Sequence, residues 1–192
     1  MDTIRMLLQK LNGYLIKRGF LLIMWGYMMG IMYATQYLVR SGMLPSTLMD
    51  WVVQFLPFLS FSLSVIYLLI NRQESWIRED LKIIGLWLAA LATLIIINWT
   101  LWKTTGELDF TLQHPLFMAV MAFAIVATGI LKNFELLIYG GITFGLLAFV
   151  AASFPLTTQL GIEAIAWLIG CALPGHLIAY QAADSAASSI EH

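Results

Sequence analysis

Four polar side chains with the capacity for chemistry lie inside apolar stretches of the chain: Gln36, Asn98, Glu163 and His176. Glu163 is the only carboxylate among them, and it lies near the start of the last apolar stretch. A carboxylate shielded from water can bind a proton or a cation, and polar groups inside a membrane are often functional. Gln36, Asn98 and Glu163 could lie at one depth and form a polar pocket for a ligand.

Each of these side chains also has a purely structural interpretation. Gln36 and Asn98 could hydrogen-bond a neighbouring helix or interfacial water, and Glu163 could reach water at the membrane boundary. His176 ends a Pro-Gly-His sequence, so it could titrate near neutral pH or lie at headgroup level after a helix break. On one helix, Glu163 and His176 would be about 20 Å apart and could not share an active site.

Catalytic motifs are missing from the sequence. It contains no HExxH, no nucleophile elbow, no P-loop and no cysteine pair, since Cys171 is the single cysteine. His176 has no second histidine, cysteine or carboxylate at ligand spacing. We therefore expect neither an enzyme, nor a metal site, nor a cofactor.

The composition indicates an integral membrane protein. Of the 192 residues 60% are apolar and only 11% are charged, and the mean hydropathy is +0.84. Soluble domains carry about 25% charged residues. The formal net charge of −1 offers no basic surface for nucleic acid, so the expected partner is the lipid bilayer.

A helical hairpin between Pro115 and Pro155 organises the apolar elements. Two apolar arms of spanning length are joined there by Lys132 and Asn133, which is typical of two successive membrane crossings. Further apolar stretches extend the prediction to an all-α bundle of six transmembrane helices, at residues 20–39, 51–70, 83–102, 115–132, 134–154 and 160–182.

The two ends of the chain differ from this transmembrane domain, residues 19–182. Residues 1–18 alternate apolar and polar side chains at helical spacing, which predicts a short amphipathic helix at the membrane surface. The first apolar stretch is too long for a signal peptide, so we expect it to be retained. Residues 183–192 are rich in alanine and serine and are expected to be a disordered tail.

The distribution of positive charge predicts the orientation. With six crossings, eight lysines and arginines lie on the side of both termini, namely Arg5, Lys10, Lys17, Arg18, Arg72, Arg78, Lys82 and Lys132. Only Arg40 and Lys103 lie on the other side. By the positive-inside rule, both termini are cytoplasmic.

Small residues predict where the helices pack closely. Gly26, Gly30 and Ala34 recur every four residues in the first crossing, and this stripe is either an internal packing face or the interface of a homo-oligomer. Further packing positions are expected in the hairpin, at Gly129, Gly140, Gly141 and Gly145.

Three segments carry a resemblance to a known family. They are residues 20–26, which end in Trp-Gly, residues 129–142 across the hairpin, and residues 172–177, which contain Pro-Gly-His. Together they resemble a family of small uncharacterised six-helix bacterial inner-membrane proteins. The resemblance implies a bacterial cytoplasmic membrane and six crossings, and it implies no activity or ligand.

Two functional hypotheses follow. The first is a non-enzymatic sensor, accessory subunit or scaffold, suggested by small-residue stripes without catalytic groups and acting with itself or with another membrane protein. The alternative is a small-solute or ion transporter that uses Glu163 as the coupling carboxylate, suggested by Glu163, Asn98 and Gln36.

Overall fold

The protein is helical throughout the part that the computed structural model describes. The backbone is described at residues 2–70, 77–107 and 109–188, and side chains at 19–67, 69, 82–107 and 109–180. The helices are α1 (Asp2–Arg40), α2 (Thr47–Ile70), α3 (Ile77–Thr105), α4 (Phe110–Lys132), α5 (Glu135–Ala151), α6 (Leu156–Trp167) and α7 (Leu173–Ser188). A π-helical turn, Leu168–Ala172, joins α6 to α7 without a break, so these three segments form one long helix.

Four spans within these helices are long and apolar enough to cross a membrane: Thr47–Tyr67, Lys82–Thr105, Phe110–Lys132 and Leu156–Tyr180. The protein is therefore a helical bundle compatible with an integral membrane protein. The fifth predicted crossing is a shorter apolar helix, since α5 has 17 residues.

The ends of the chain differ from the sequence prediction. The amphipathic segment 1–18 is not a separate helix, because α1 continues from Asp2 to Arg40. Gly13 weakens a helix by only about 1 kcal/mol, which is too little to end one of this length. The predicted disordered tail is helical as far as Ser188, and residues 189–192 lie outside the described part.

The core of the bundle is built from α1, α4, α5 and the long last helix. Within the described residues, α2 contacts only α1 and α3 contacts only α4. These two helices carry many exposed apolar side chains, among them Phe55, Phe58, Ile95 and Ile96. An apolar surface of this extent is suited to lipid rather than to water.

The hairpin of α4 and α5 turns at Asn133. Its φ of 58° is left-handed, a conformation that asparagine tolerates better than most residues. The Phe134 N–H donates to the Gly129 carbonyl at 2.8 Å and closes the end of α4. The two helices then pack so closely that a Cβ on Gly141 would lie 2.8 Å from the Val126 backbone nitrogen.

Small residues allow the long last helix to pack closely against α1 and α5. A Cβ on Gly26 would lie 2.4 Å from the Ala172 nitrogen, and a Cβ on Gly140 would lie 2.8 Å from the Gly170 carbonyl oxygen. Pro174 interrupts the backbone hydrogen bonds just after the π turn. The long last helix is thus irregular where α1 and α5 approach it most closely.

Candidate functional site

A carboxylate and an imidazole meet inside the bundle. Nδ1 of His114, on α4, lies 2.7 Å from Oε2 of Glu163, on α6. The Glu163 side chain has no exposed surface, whereas the His114 side chain is 15% exposed. A buried charged group is tolerated only when it is paired, because removing a charge from water costs several kcal/mol. The pair is therefore an energetically demanding feature of this fold.

The early start of α4 brings His114 to Glu163. The Asp109 side chain accepts hydrogen bonds from the backbone N–H groups of Thr111 and Leu112, so α4 begins at Phe110. Asp is a preferred residue at this position because its carboxylate satisfies amides that the first turn leaves free. His114 then lies in the second turn, one turn before the buried Met118, and faces the core.

Gln159 fastens the same two helices beside the pair. Pro115 has no N–H, so the Thr111 carbonyl four residues earlier has no donor within α4. Nε2 of Gln159 donates to this carbonyl at 3.1 Å and to the Phe154 carbonyl at 2.9 Å. Gln159 is fully buried, and it lies one turn before Glu163 on the same face of α6.

Aromatic rings surround the carboxylate. Tyr33 of α1 meets the His114 ring edge-on with centroids 5.8 Å apart, and Phe117 lies 6.3 Å from Tyr33 and 6.5 Å from Trp167. Tyr33 and Trp167 also interact electrostatically with Glu163. Nevertheless, Oε1 of Glu163 and Nε1 of Trp167 have no hydrogen-bond partner of good geometry within the described residues. Oε2 is thus bonded to His114 at 2.7 Å, whereas Tyr33 and Trp167 approach the carboxylate without a bond of good geometry.

Below the pair, away from the starts of α4 and α6, the core is apolar. Five side chains with at most 1% exposure fill it, namely Met118, Ile125, Leu137, Phe144 and Cys171; we call them the apolar layer. The only buried hydroxyl described on α4, α5 or the long last helix is Thr128, which donates to the Ala124 carbonyl within its own helix. The described side chains of α4, α5 and the long last helix thus offer no continuous polar path through the layer.

The other predicted site residues have different surroundings. Gln36 is buried on α1, one turn after Tyr33 on the same face. Asn98 lies on α3, which contacts neither α1 nor α6 in the described part, and its Oδ1 is buried without a partner. His176 is exposed on α7, with its Nε2 3.1 Å from the Tyr27 hydroxyl. Glu163 is therefore bonded to His114, and not to any of the other three.

Sequence reasoning missed His114 because it treated residues 103–114 as a loop and began the helix at Pro115. The available signal was Asp109, a preferred capping residue that precedes an apolar pattern. Placing the helix start there would have moved His114 into the bundle. No local spacing links it to Glu163, since 49 residues separate the two.

The predicted packing glycines lie at helix contacts. A Cβ on Gly30 would lie 3.1 Å from Leu168 Cδ2, and a Cβ on Gly129 would lie 2.9 Å from the Ile138 nitrogen. Gly145 is looser, since its Cβ would lie 3.4 Å from the Ala122 Cβ. Ala34 is partly buried and packs against the core.

The site has no group of ligands for a metal. Among the described residues no three histidine, cysteine, aspartate or glutamate side chains cluster.

Comparison of the chain with family models, with curated proteins and with solved structures finds no match. Glu163 and His114 are therefore the residues from which a function can be inferred.

Proposed function

We propose that this chain is a six-span protein of the bacterial cytoplasmic membrane, with both termini in the cytoplasm. Four spans of sufficient length and apolarity support it, and α1 and α5 would supply the other two. At about 1.5 Å per residue, the 17 residues of α5 extend roughly 25 Å, which is at the short end for a crossing. The excess of positive residues on one side supports the orientation.

We further propose that the protein is a non-enzymatic sensor whose conformation depends on protonation of the Glu163–His114 pair. The observation that supports this is the 2.7 Å contact between an imidazole and a carboxylate with no exposed surface. An ion pair, or the neutral pair, leaves no net charge in the core. Removing the proton that the two groups share leaves an uncompensated negative charge there, which costs several kcal/mol unless the helices move apart or water enters.

Histidine suits this role because its protonation changes in the physiological range. The pair also joins two parts of the bundle, since α4 belongs to the hairpin and α6 opens the long last helix. A change in the pair would therefore act on the contact between these parts. Conversely, a pair serving only to hold α4 against α6 would leave the protein insensitive to pH until it unfolds.

The test is tryptophan fluorescence of the reconstituted protein over about pH 5 to 8. Trp167 lies against Glu163 and is 2% exposed, so water entering the site would alter its emission. We expect a reversible transition that Glu163→Gln abolishes. The matched control is His176→Gln, which removes an exposed histidine at the other end of the same long helix. A transition that persists in Glu163→Gln, or that is missing from the wild type, would refute the sensor proposal.

A transporter coupled to a proton or cation is the second candidate. It is favoured by two buried acceptors that have no hydrogen bond of good geometry among the described residues, Oε1 of Glu163 and Oε1 of Gln159, which lie one turn apart on α6. Uptake of radioactive sodium or rubidium into proteoliposomes with an imposed pH gradient tests it. Uptake that depends on Glu163 would move the transporter ahead of the sensor, and equal uptake by wild type and Glu163→Gln would eliminate it.

A further inference from the structure

Glu163 is shielded from water, and the group bonded to it reaches the surface at one end of the bundle only. Its carboxylate has no exposed surface, and His114, which bonds it at 2.7 Å, is 15% exposed. His114 lies near the start of α4, and Gln159 closes the start of α6 against the same region. We call this region, where α4 and α6 begin, the His114 end of the bundle.

The opposite direction from Glu163 is closed by the apolar layer. Met118 and Phe144 have no exposed surface, and Cys171 and Leu137 have 1% each. The Trp167 and Phe144 rings are perpendicular, with centroids 5.3 Å apart, so aromatic side chains continue the layer up to the residues around the carboxylate. A proton crossing this layer would have to leave its hydrogen-bonding partners, which is strongly unfavourable in an apolar core.

The titratable side chains that face Glu163 can be named for each helix that packs against α6. Tyr33 faces it from α1, and His114 faces it from α4. The buried side chains of α5 include no titratable group. Asp109, near the start of α4, accepts from the Thr111 and Leu112 amides. Of these groups, His114 joins a 2.7 Å contact with Glu163 to a side chain that is 15% exposed.

We propose that Glu163 exchanges its proton only with the solution at the His114 end, through the His114 ring, so that the protein senses pH on that side alone. Nε2 of His114 takes a proton from a hydronium ion, and Nδ1 passes its own proton to Oε2 of Glu163. The ring returns to a neutral tautomer, and one water molecule remains where the hydronium ion was. This inference rests on the proposed proton-dependent function, and with cytoplasmic termini the sensed solution is the external one.

The decisive experiment uses the unmodified protein in sealed vesicles with one orientation, established by protease digestion from outside. Impermeant buffers set the pH on each side independently, and an ionophore clamps the membrane potential. The readout is the infrared band of the protonated carboxyl, assigned to Glu163 by its loss in Glu163→Gln. We expect the band to follow the pH at the His114 end and to ignore the pH on the other side.

Each alternative result has a distinct meaning. A band that follows both solutions, or only the solution at the other end, overturns one-sided access while leaving the proton-dependent function intact. A band that follows neither solution overturns both. His114→Gln then tests the route, because glutamine hydrogen-bonds but cannot relay a proton. We expect proton exchange after a pH jump to slow by roughly 100-fold in this variant, and an unchanged rate would exclude His114 as the relay.

Discussion

Gly26→Ala tests whether the small-residue stripe of α1 packs inside the protein. A Cβ at this position would lie 2.4 Å from the Ala172 nitrogen and 2.8 Å from its Cα, where ordinary contact begins at 3.4 Å. Both atoms belong to the backbone of the long last helix, so no side-chain rotation relieves the clash. The two helices must separate by about 1 Å, which disturbs every contact along their crossing.

The expected cost follows from two opposing effects. Overpacking of a close-packed interior costs about 1–3 kcal/mol, whereas alanine is favoured over glycine in a helix by up to about 1 kcal/mol. We expect Gly26→Ala to lower the free energy of unfolding by about 1–2 kcal/mol. Gly30→Ala should cost less, because its Cβ meets the flexible end of Leu168 at 3.1 Å.

The assay is reversible unfolding in mixed detergent micelles, with native mass spectrometry of each variant. Gly85→Ala is the matched control, because a Cβ there meets nothing within 4 Å and only helix propensity changes. If Gly26→Ala is as stable as Gly85→Ala and alters only the oligomeric state, the stripe is a homo-oligomer interface and internal packing is refuted.

Three further predictions use the same unfolding assay. His114→Ala should lower the free energy of unfolding by about 3–5 kcal/mol, because it leaves Glu163 buried and unpaired. Adding Glu163→Leu should recover most of this loss. A loss below about 1 kcal/mol in His114→Ala would contradict a buried pair. Trp25→Phe should lower the free energy of unfolding by about 1 kcal/mol, because it removes the 2.9 Å hydrogen bond from Nε1 to the Ser64 hydroxyl. Adding Ser64→Ala should cause no further loss. Asn133→Val should cost about 1–2 kcal/mol at its left-handed φ while Asn133→Gly should not, and equal stabilities would exclude that turn.

The hairpin shows which parts of the fold can be predicted from the sequence. Two long apolar runs separated by Lys132 and Asn133 leave room only for a tight turn, and the structure has that turn. The predicted start of α4, Pro115, lies five residues after the observed start at Phe110, because the polar residues of 103–114 resemble a loop. Pro115 is instead inside the helix, and the carbonyl that it leaves without a donor is satisfied by Gln159, 48 residues away. Such long-range compensation leaves no local pattern in the sequence.

Because the sequence prediction begins α4 too late, it also misses His114, the partner of Glu163. A carboxylate one turn inside a membrane helix can remain hydrated at little energetic cost, since its side chain can extend to interfacial water. With α4 beginning at Phe110, His114 is in the bundle instead, and the carboxylate turns inward to a position without exposed surface. Holding an ionisable pair there is less favourable than filling the same space with apolar side chains. If the pair served only to hold α4 against α6, leucine and phenylalanine could replace the two residues. Only the stability of the protein would then change. The outcome of the Glu163→Gln titration therefore decides whether the pair is retained for its proton.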